Sequence, residues 1–287
     1  MTLYLSFISH KAFFHLIFVY FSLSHFSPIL GCEFICHLDM ELSFKHQLGL
    51  VCVLLLFPSL CYCEYTKSRA TFYSTSDGYG TPTGACGFGE YGRKMNWYDG
   101  KVSGVSELWR NGAGCGTCYW VRCQIENVCD VNGVYLAVTD QGYGDRTDFV
   151  MSERAFTKMG LNENAAQELK KYGTVDIEYE RVPCTYTGNV VFHIQETSSN
   201  PGYFALVILY VNGIHDITNV EMWQPESGEW KALNRNHGAV FDFPNPPSGE
   251  IRLRFKVSGM AEWVDPKIVI PSNWGPGASY VTQVQLK

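Results

Sequence analysis

A mainly β chain made of two successive domains is what this sequence predicts, and three observations carry the prediction. Short apolar runs recur at close spacing through the second half, separated by turn-forming residues, from VVFHI at 190–194 to VTQVQL at 281–286. One of them, IRLRFKV at 251–257, alternates strictly. Ile251, Leu253, Phe255 and Val257 fall on one face and Arg252, Arg254 and Lys256 on the other, the mark of a strand with a single buried side. Beyond the N-terminal region, every cysteine lies before residue 185 and none follows, which draws a chemical boundary in the chain.

The N-terminal region is not part of either domain. Residues 13–30 form one apolar run broken by Pro28, and residues 48–60, LGLVCVLLLFPSL, form a second. Only the second has a secretory layout: Lys45 and His46 precede it, small residues follow in SLCYC, and it is shorter than the roughly 20 residues that cross a bilayer. A signal peptide over residues 40–63 is expected, with residues 1–39 an upstream extension; the rival reading makes residues 1–30 a signal anchor. No later stretch is apolar for long enough to span a membrane, so the mature product is expected to be exported.

The first domain, residues 70–188, holds the six remaining cysteines, Cys86, Cys115, Cys118, Cys123, Cys129 and Cys184. An even set in an exported chain reads as disulfides. The Cys115-Gly-Thr-Cys118 spacing would also suit zinc, but Cys123 and Cys129 do not supply the matching second pair. VYLAVTD at 134–140 and TVDIEYERV at 174–182 read as strands. NENAAQELKKYG at 162–173 reads as a helix, closed by Lys170, Lys171 and Gly173.

The second domain, residues 189–287, reads as strands at 190–194, 203–211, 220–223, 229–233, 239–243, 251–257 and 281–286, with Asn-Gly at 212–213 and a Pro-rich turn at 244–247. That spacing predicts a β-sandwich. The TYTGN connector at 185–189 is short, so the two domains are expected to rest against each other. A formal charge of −6, with no block of Lys or Arg in the mature region, argues against a nucleic-acid partner.

Read in order, RATFYS (69–74), GACGFGEYG (84–92), GCGTCYWVRC (114–123), VTDQGYGD (138–145) and EYERVPC (178–184) resemble an expansin, more closely the expansin-like B branch of plants. EWKALNRN (229–236) and IPSNW (270–274) resemble the family's C-terminal cellulose-binding module. The resemblance implies a six-stranded double-psi β-barrel related to family-45 endoglucanases, followed by an immunoglobulin-like β-sandwich. It implies the bridges Cys86–Cys115, Cys118–Cys184 and Cys123–Cys129. It also implies a secreted, monomeric cell-wall protein that binds cellulose or hemicellulose, loosens wall contacts without hydrolysis, and uses no metal or organic cofactor.

VTDQGYGDRTDFVMS at 138–152 brings Asp140, Asp145 and Asp148 into one glycine-rich stretch, as a catalytic loop would. Glycoside hydrolysis by inversion needs two carboxyls, one as acid and one as base. By the family's pattern Thr75 stands where the base would be and Val150 where the acid would be. Hydrolysis through Asp140 with Asp148 requires a shifted alignment, and a glycan-binding protein in stress or defence with no loosening activity is the other alternative. The resemblance places Thr71, Tyr73, Asp140 and Asp148 in a polysaccharide groove and Tyr203, Phe241 and His237 on an aromatic platform. A core position for Phe241 is the competing expectation, since it shares a strand face with Phe243.

Overall fold

The computed structural model describes residues 65–143 and 148–287. The expected upstream extension and signal peptide lie outside the described residues, as does Asp145. Six strands close a barrel: β1 (Thr66–Tyr73), β2 (Val102–Val105), β3 (Cys118–Cys123), β4 (Val134–Gln141), β5 (Phe149–Ser152) and β6 (Thr174–Val182). Their lateral order is β1-β5-β2-β4-β3-β6. The β1/β5 and β2/β4 pairs are parallel and the others antiparallel, the interlaced connection of a double-psi barrel. Closure leaves no unpaired strand edge.

Side-chain alternation fixes what the barrel shows to solvent. On β5, Phe149 and Met151 are fully buried while Val150 between them is only half-buried. On β1, Ala70 is buried and Thr71 and Tyr73 lie on the opposite face. Helices α1 (Gly89–Lys94), α2 (Glu153–Lys158) and α3 (Glu163–Tyr172) pack outside the strands. Helix α3 begins where Asn162 accepts the Ala165 N–H at 3.0 Å and ends at Gly173, whose φ of 70° a side chain would resist. Disulfides join Cys86 to Cys115, Cys118 to Cys184 and Cys123 to Cys129.

Two sheets follow. One has the order β11-β12-β8-β7-β15 and is built from β7 (Val191–Ile194), β8 (Tyr203–Leu209), β11 (Asn234–His237), β12 (Val240–Pro244) and β15 (Ser279–Val281). The other, β10-β9-β13-β14, comprises β9 (Ile217–Gln224), β10 (Glu229–Ala232), β13 (Ile251–Val257) and β14 (Val269–Ile270). Phe192, Phe204, Leu206, Phe241 and Phe255 fill the space between them. Trp274 is buried there against Phe204, whereas Trp230 lies half-buried beneath the Arg254 guanidinium, 4.4 Å above its ring. The strand expected at 281–286 is only Ser279–Val281, and the remaining tail is held irregularly, with the Val190 N–H donating to the Val284 carbonyl at 3.0 Å.

The five-stranded sheet is covered on both faces. Phe204, Leu206 and Ile208 turn toward the sandwich core, while Ala205, Val207 and Leu209 join the core of the barrel. An ion cluster reinforces this contact. Asp216, just before β9, takes two bonds from Arg110 at 2.6 and 3.0 Å and a third from Arg181 at 2.6 Å, and both arginines belong to the barrel.

Candidate functional site

Strand register builds the barrel half of the site. Thr71 on β1 pairs with Val150 on β5, Val150 with Gly104 on β2, and Gly104 with Asp140 on β4. These four neighbours form one lateral row. Val150 lies over Gly142, where an added Cβ would come within 2.7 Å of its methyl group, so the row is flush and floored by backbone.

Tyr73 and Asp140 are brought together. The Tyr73 hydroxyl is buried and has no hydrogen-bond partner among the described residues. Burial, and then the nearby Asp140 carboxylate, push its pKa well above the ordinary phenol value, so it stays protonated and keeps a proton to donate. Asp140 uses one oxygen, Oδ1, to accept the N–H groups of Ala85 at 2.7 Å and Gln141 at 2.8 Å. Gly84 makes this approach possible, because a Cβ there would lie 2.6 Å from the Thr139 carbonyl oxygen.

The other two barrel residues are occupied elsewhere. The Thr71 hydroxyl donates to the Gly173 carbonyl at 2.8 Å and ties β1 to the end of α3. Asp148 accepts from the Ser68 hydroxyl and from the Ser106 hydroxyl at 3.3 Å, and its N–H donates to the Arg69 carbonyl. Asp140 pairs with Gly104, and Asp148 lies beside Ser106. Two strand spacings across and two residues along therefore separate their backbones by about 12 Å. Thr75, at the position of the family's base, donates to the Tyr79 carbonyl at 2.8 Å.

From Asp140 the surface continues into the sandwich through residues 84–87. The Cys86 carbonyl accepts the Ala239 N–H at 3.0 Å, and the Gln195 side chain donates to the Gly87 carbonyl at 3.1 Å. A Cβ on Gly87 would strike Val240 at 2.4 Å and come within 3.4 Å of the His237 ring; one on Gly238 would strike the Ala85 carbonyl oxygen at 2.2 Å. The β11–β12 turn is thus seated in the barrel loop. His237 is exposed, and its Nδ1 lies 3.2 Å from the Asn236 carboxamide oxygen. The Tyr203 hydroxyl donates to Asp242 at 2.8 Å and Asn236 donates to the same carboxylate oxygen at 2.5 Å. Burial, then the Asp242 carboxylate, raises the Tyr203 pKa.

Phe241 requires a correction. It is 2 % exposed, faces the sandwich core opposite Leu206, and carries the Arg235 guanidinium 4.4 Å above its ring. The alternation of β12 is the physical reason. Val240 and Asp242 point to the barrel side, so Phe241 points inward and is not part of any platform. Tyr203 and His237 remain on the accessible side. Tyr143, which sequence reasoning passed over, stands beside the row with 81 % of its surface exposed.

Comparison with known proteins places this arrangement among relatives. Residues 190–271 match the family described as expansin C-terminal domain, and residues 101–179 match one described as lytic transglycolase. The chain is 45 % identical over 239 residues to "Expansin-like B1" of Arabidopsis thaliana, covering 82 % of this chain and 94 % of that protein. It is 39 % identical over 251 residues to "Expansin-like B1" of Oryza sativa subsp. japonica, covering 85 % and 97 %. Among solved structures, a mutant Clavibacter michiganensis expansin in complex with cellohexaose superposes with a TM-score of 0.59 at 24 % identity, covering 77 % of this chain and 98 % of that one.

Proposed function

Because this chain belongs to the plant expansin superfamily, in its expansin-like B branch, we propose that it is a secreted cell-wall protein. It binds cellulose or matrix polysaccharide along the surface that runs from Tyr73 and Asp140 to His237 and Tyr203, and it loosens non-covalent contacts between wall polymers without hydrolysis. The observation that carries the reading is the continuity of this surface across both domains, with Asp140 as the one carboxylate in its barrel row. The cellohexaose held by the Clavibacter relative supports the ligand class. Secretion rests on the signal peptide expected at 40–63.

The chemistry argues against turnover. Hydrolysis by inversion places two carboxyls about 6.5–9.5 Å apart across the sugar. Here Val150 fills the acid position, Thr75 cannot accept a proton near neutral pH, and Asp148 is held by two serine hydroxyls away from Tyr73. Among the described residues no cluster of His, Cys, Asp or Glu could hold a metal ion, and no helix is long and apolar enough to cross a membrane. Binding leaves sugar hydroxyls to the second Asp140 oxygen, and the apolar faces of the sugar to ring surfaces.

Two assays test the reading. Extension of heat-inactivated wall strips under constant load should increase with the protein, while release of reducing ends from soluble and crystalline glucans should stay at background. Sustained reducing-end release that disappears in Asp148→Asn would establish the hydrolase alternative. Glycan binding with no extension would leave a pure binding protein.

A further inference from the structure

Beside the barrel row stands a residue with no role in the reading above. Tyr143 is 81 % exposed, so almost no protein covers its ring. Its backbone is nonetheless placed with care. The Gly142 N–H donates to the Val105 carbonyl at 2.9 Å, the Gly142 nitrogen lies 3.1 Å from where a Gly104 Cβ would be, and Val150 closes over Gly142 from the other side. Residue 142 is therefore clamped between β2 and β5, and the Tyr143 backbone follows it beside Val150, three positions after Asp140.

We propose that Tyr143 and Val150 form an apolar strip that takes the CH face of a neutral β-linked pyranose chain, in place of the carboxylate that a hydrolase would present there. This rests on the glycan-binding reading and specifies its barrel half. An aromatic ring left in water without a partner gains when an apolar surface covers it, and β-linked pyranoses with equatorial hydroxyls offer such a surface on both ring faces. Val150 adds a second apolar group at a position where Asp would repel or hydrogen-bond instead. The polar edge of the same sugar then meets the second carboxylate oxygen of Asp140. Asp140 is also the one charge in this row, which selects against a uronate chain.

The test titrates cellohexaose and, separately, oligogalacturonate into the full protein and its variants by calorimetry. Tyr143→Ala should weaken cellohexaose binding by about five- to tenfold, and Tyr143→Trp should restore or exceed the original affinity. Both should melt as the parent does, since the ring makes almost no protein contact. Tyr135→Ala, which removes a second exposed tyrosine on β4 at 56 % exposure, should change nothing. Oligogalacturonate should bind more weakly than cellohexaose. Unchanged cellohexaose affinity in Tyr143→Ala, with loss in Tyr203→Ala, would overturn the strip and leave the glycan-binding reading standing. Equal losses in Tyr135→Ala and Tyr143→Ala, or tighter binding of oligogalacturonate, would overturn it too. A parent protein that binds neither glycan would overturn both.

Discussion

Phe241 and Asp140 show how much a single side chain's direction decides. The Phe241 ring packs opposite Leu206 and under Arg235, within the sandwich core. Phe241→Trp should therefore destabilise the protein by about 1–3 kcal/mol through overpacking, with no gain in cellulose binding; chemical denaturation and a cellulose pull-down read the two effects separately. A stable variant with tighter binding would return Phe241 to the surface. The sequence could not decide this residue because both of its neighbours are also covered: Val240 faces the barrel, so burial does not alternate along the strand. Asp140 stands out in the sequence as a candidate, but its hold on the Ala85 N–H, which shapes the loop leading to the second domain, was not legible there. That bond spans 55 positions in the chain and leaves no local pattern.

Elements were legible where one face meets water. Strand β13 alternates buried and solvent-facing residues along its whole length, and α3 carries its Asn162 cap and Gly173 stop in the sequence. Strands β2 and β5 are four residues each with little exposure, and β11, NRNH, is polar and short, so none has a periodicity to detect. Strand β7 was legible, yet its place against the barrel was not, and this makes His193 informative. Its ring lies 4.8 Å from that of Tyr91, Nδ1 is 2.9 Å from the Ser279 hydroxyl, and Nε2 is 3.4 Å from Glu196. Burial holds the imidazole below its ordinary pKa, against the attraction of Glu196. The unfolded chain then takes up the proton first. This contribution to stability is full above about pH 6.5, falls as the pH drops below that, and levels off under the folded value. Melting temperatures across this range should show the slope, and His193→Gln should flatten it; an unchanged slope would remove His193 as its source.

At the scale of the whole molecule, the barrel and the inner sheet of the sandwich share one core, with Val207, Leu209 and Val240 among the barrel's buried residues. Asp216 adds an electrostatic tie. Burial alone would raise its pKa, but the bonds from Arg110 and Arg181 outweigh this and hold its carboxyl below the usual value. Wild-type protein should accordingly unfold in one calorimetric transition. Asp216→Asn leaves two arginines unpaired and should cost about 2 kcal/mol, less than for a fully buried pair because Arg110 remains partly solvated. It should also split the transition into two. A single, unshifted transition in the variant would show that apolar packing alone joins the halves.

The β11–β12 turn, seated against Ala85, Cys86 and Gly87 with no space for a side chain at Gly87 or Gly238, makes the span from Tyr73 to Tyr203 a fixed gauge. A stiff, straight polymer can engage both ends of such a gauge at once, and its second contact then comes at high effective concentration. A chain that bends within that span reaches only one end and loses the multiplication. Discrimination between wall polymers would then arise from their persistence as much as from the hydroxyls they present. It follows that short oligosaccharides should understate the preference of this protein for extended glucan.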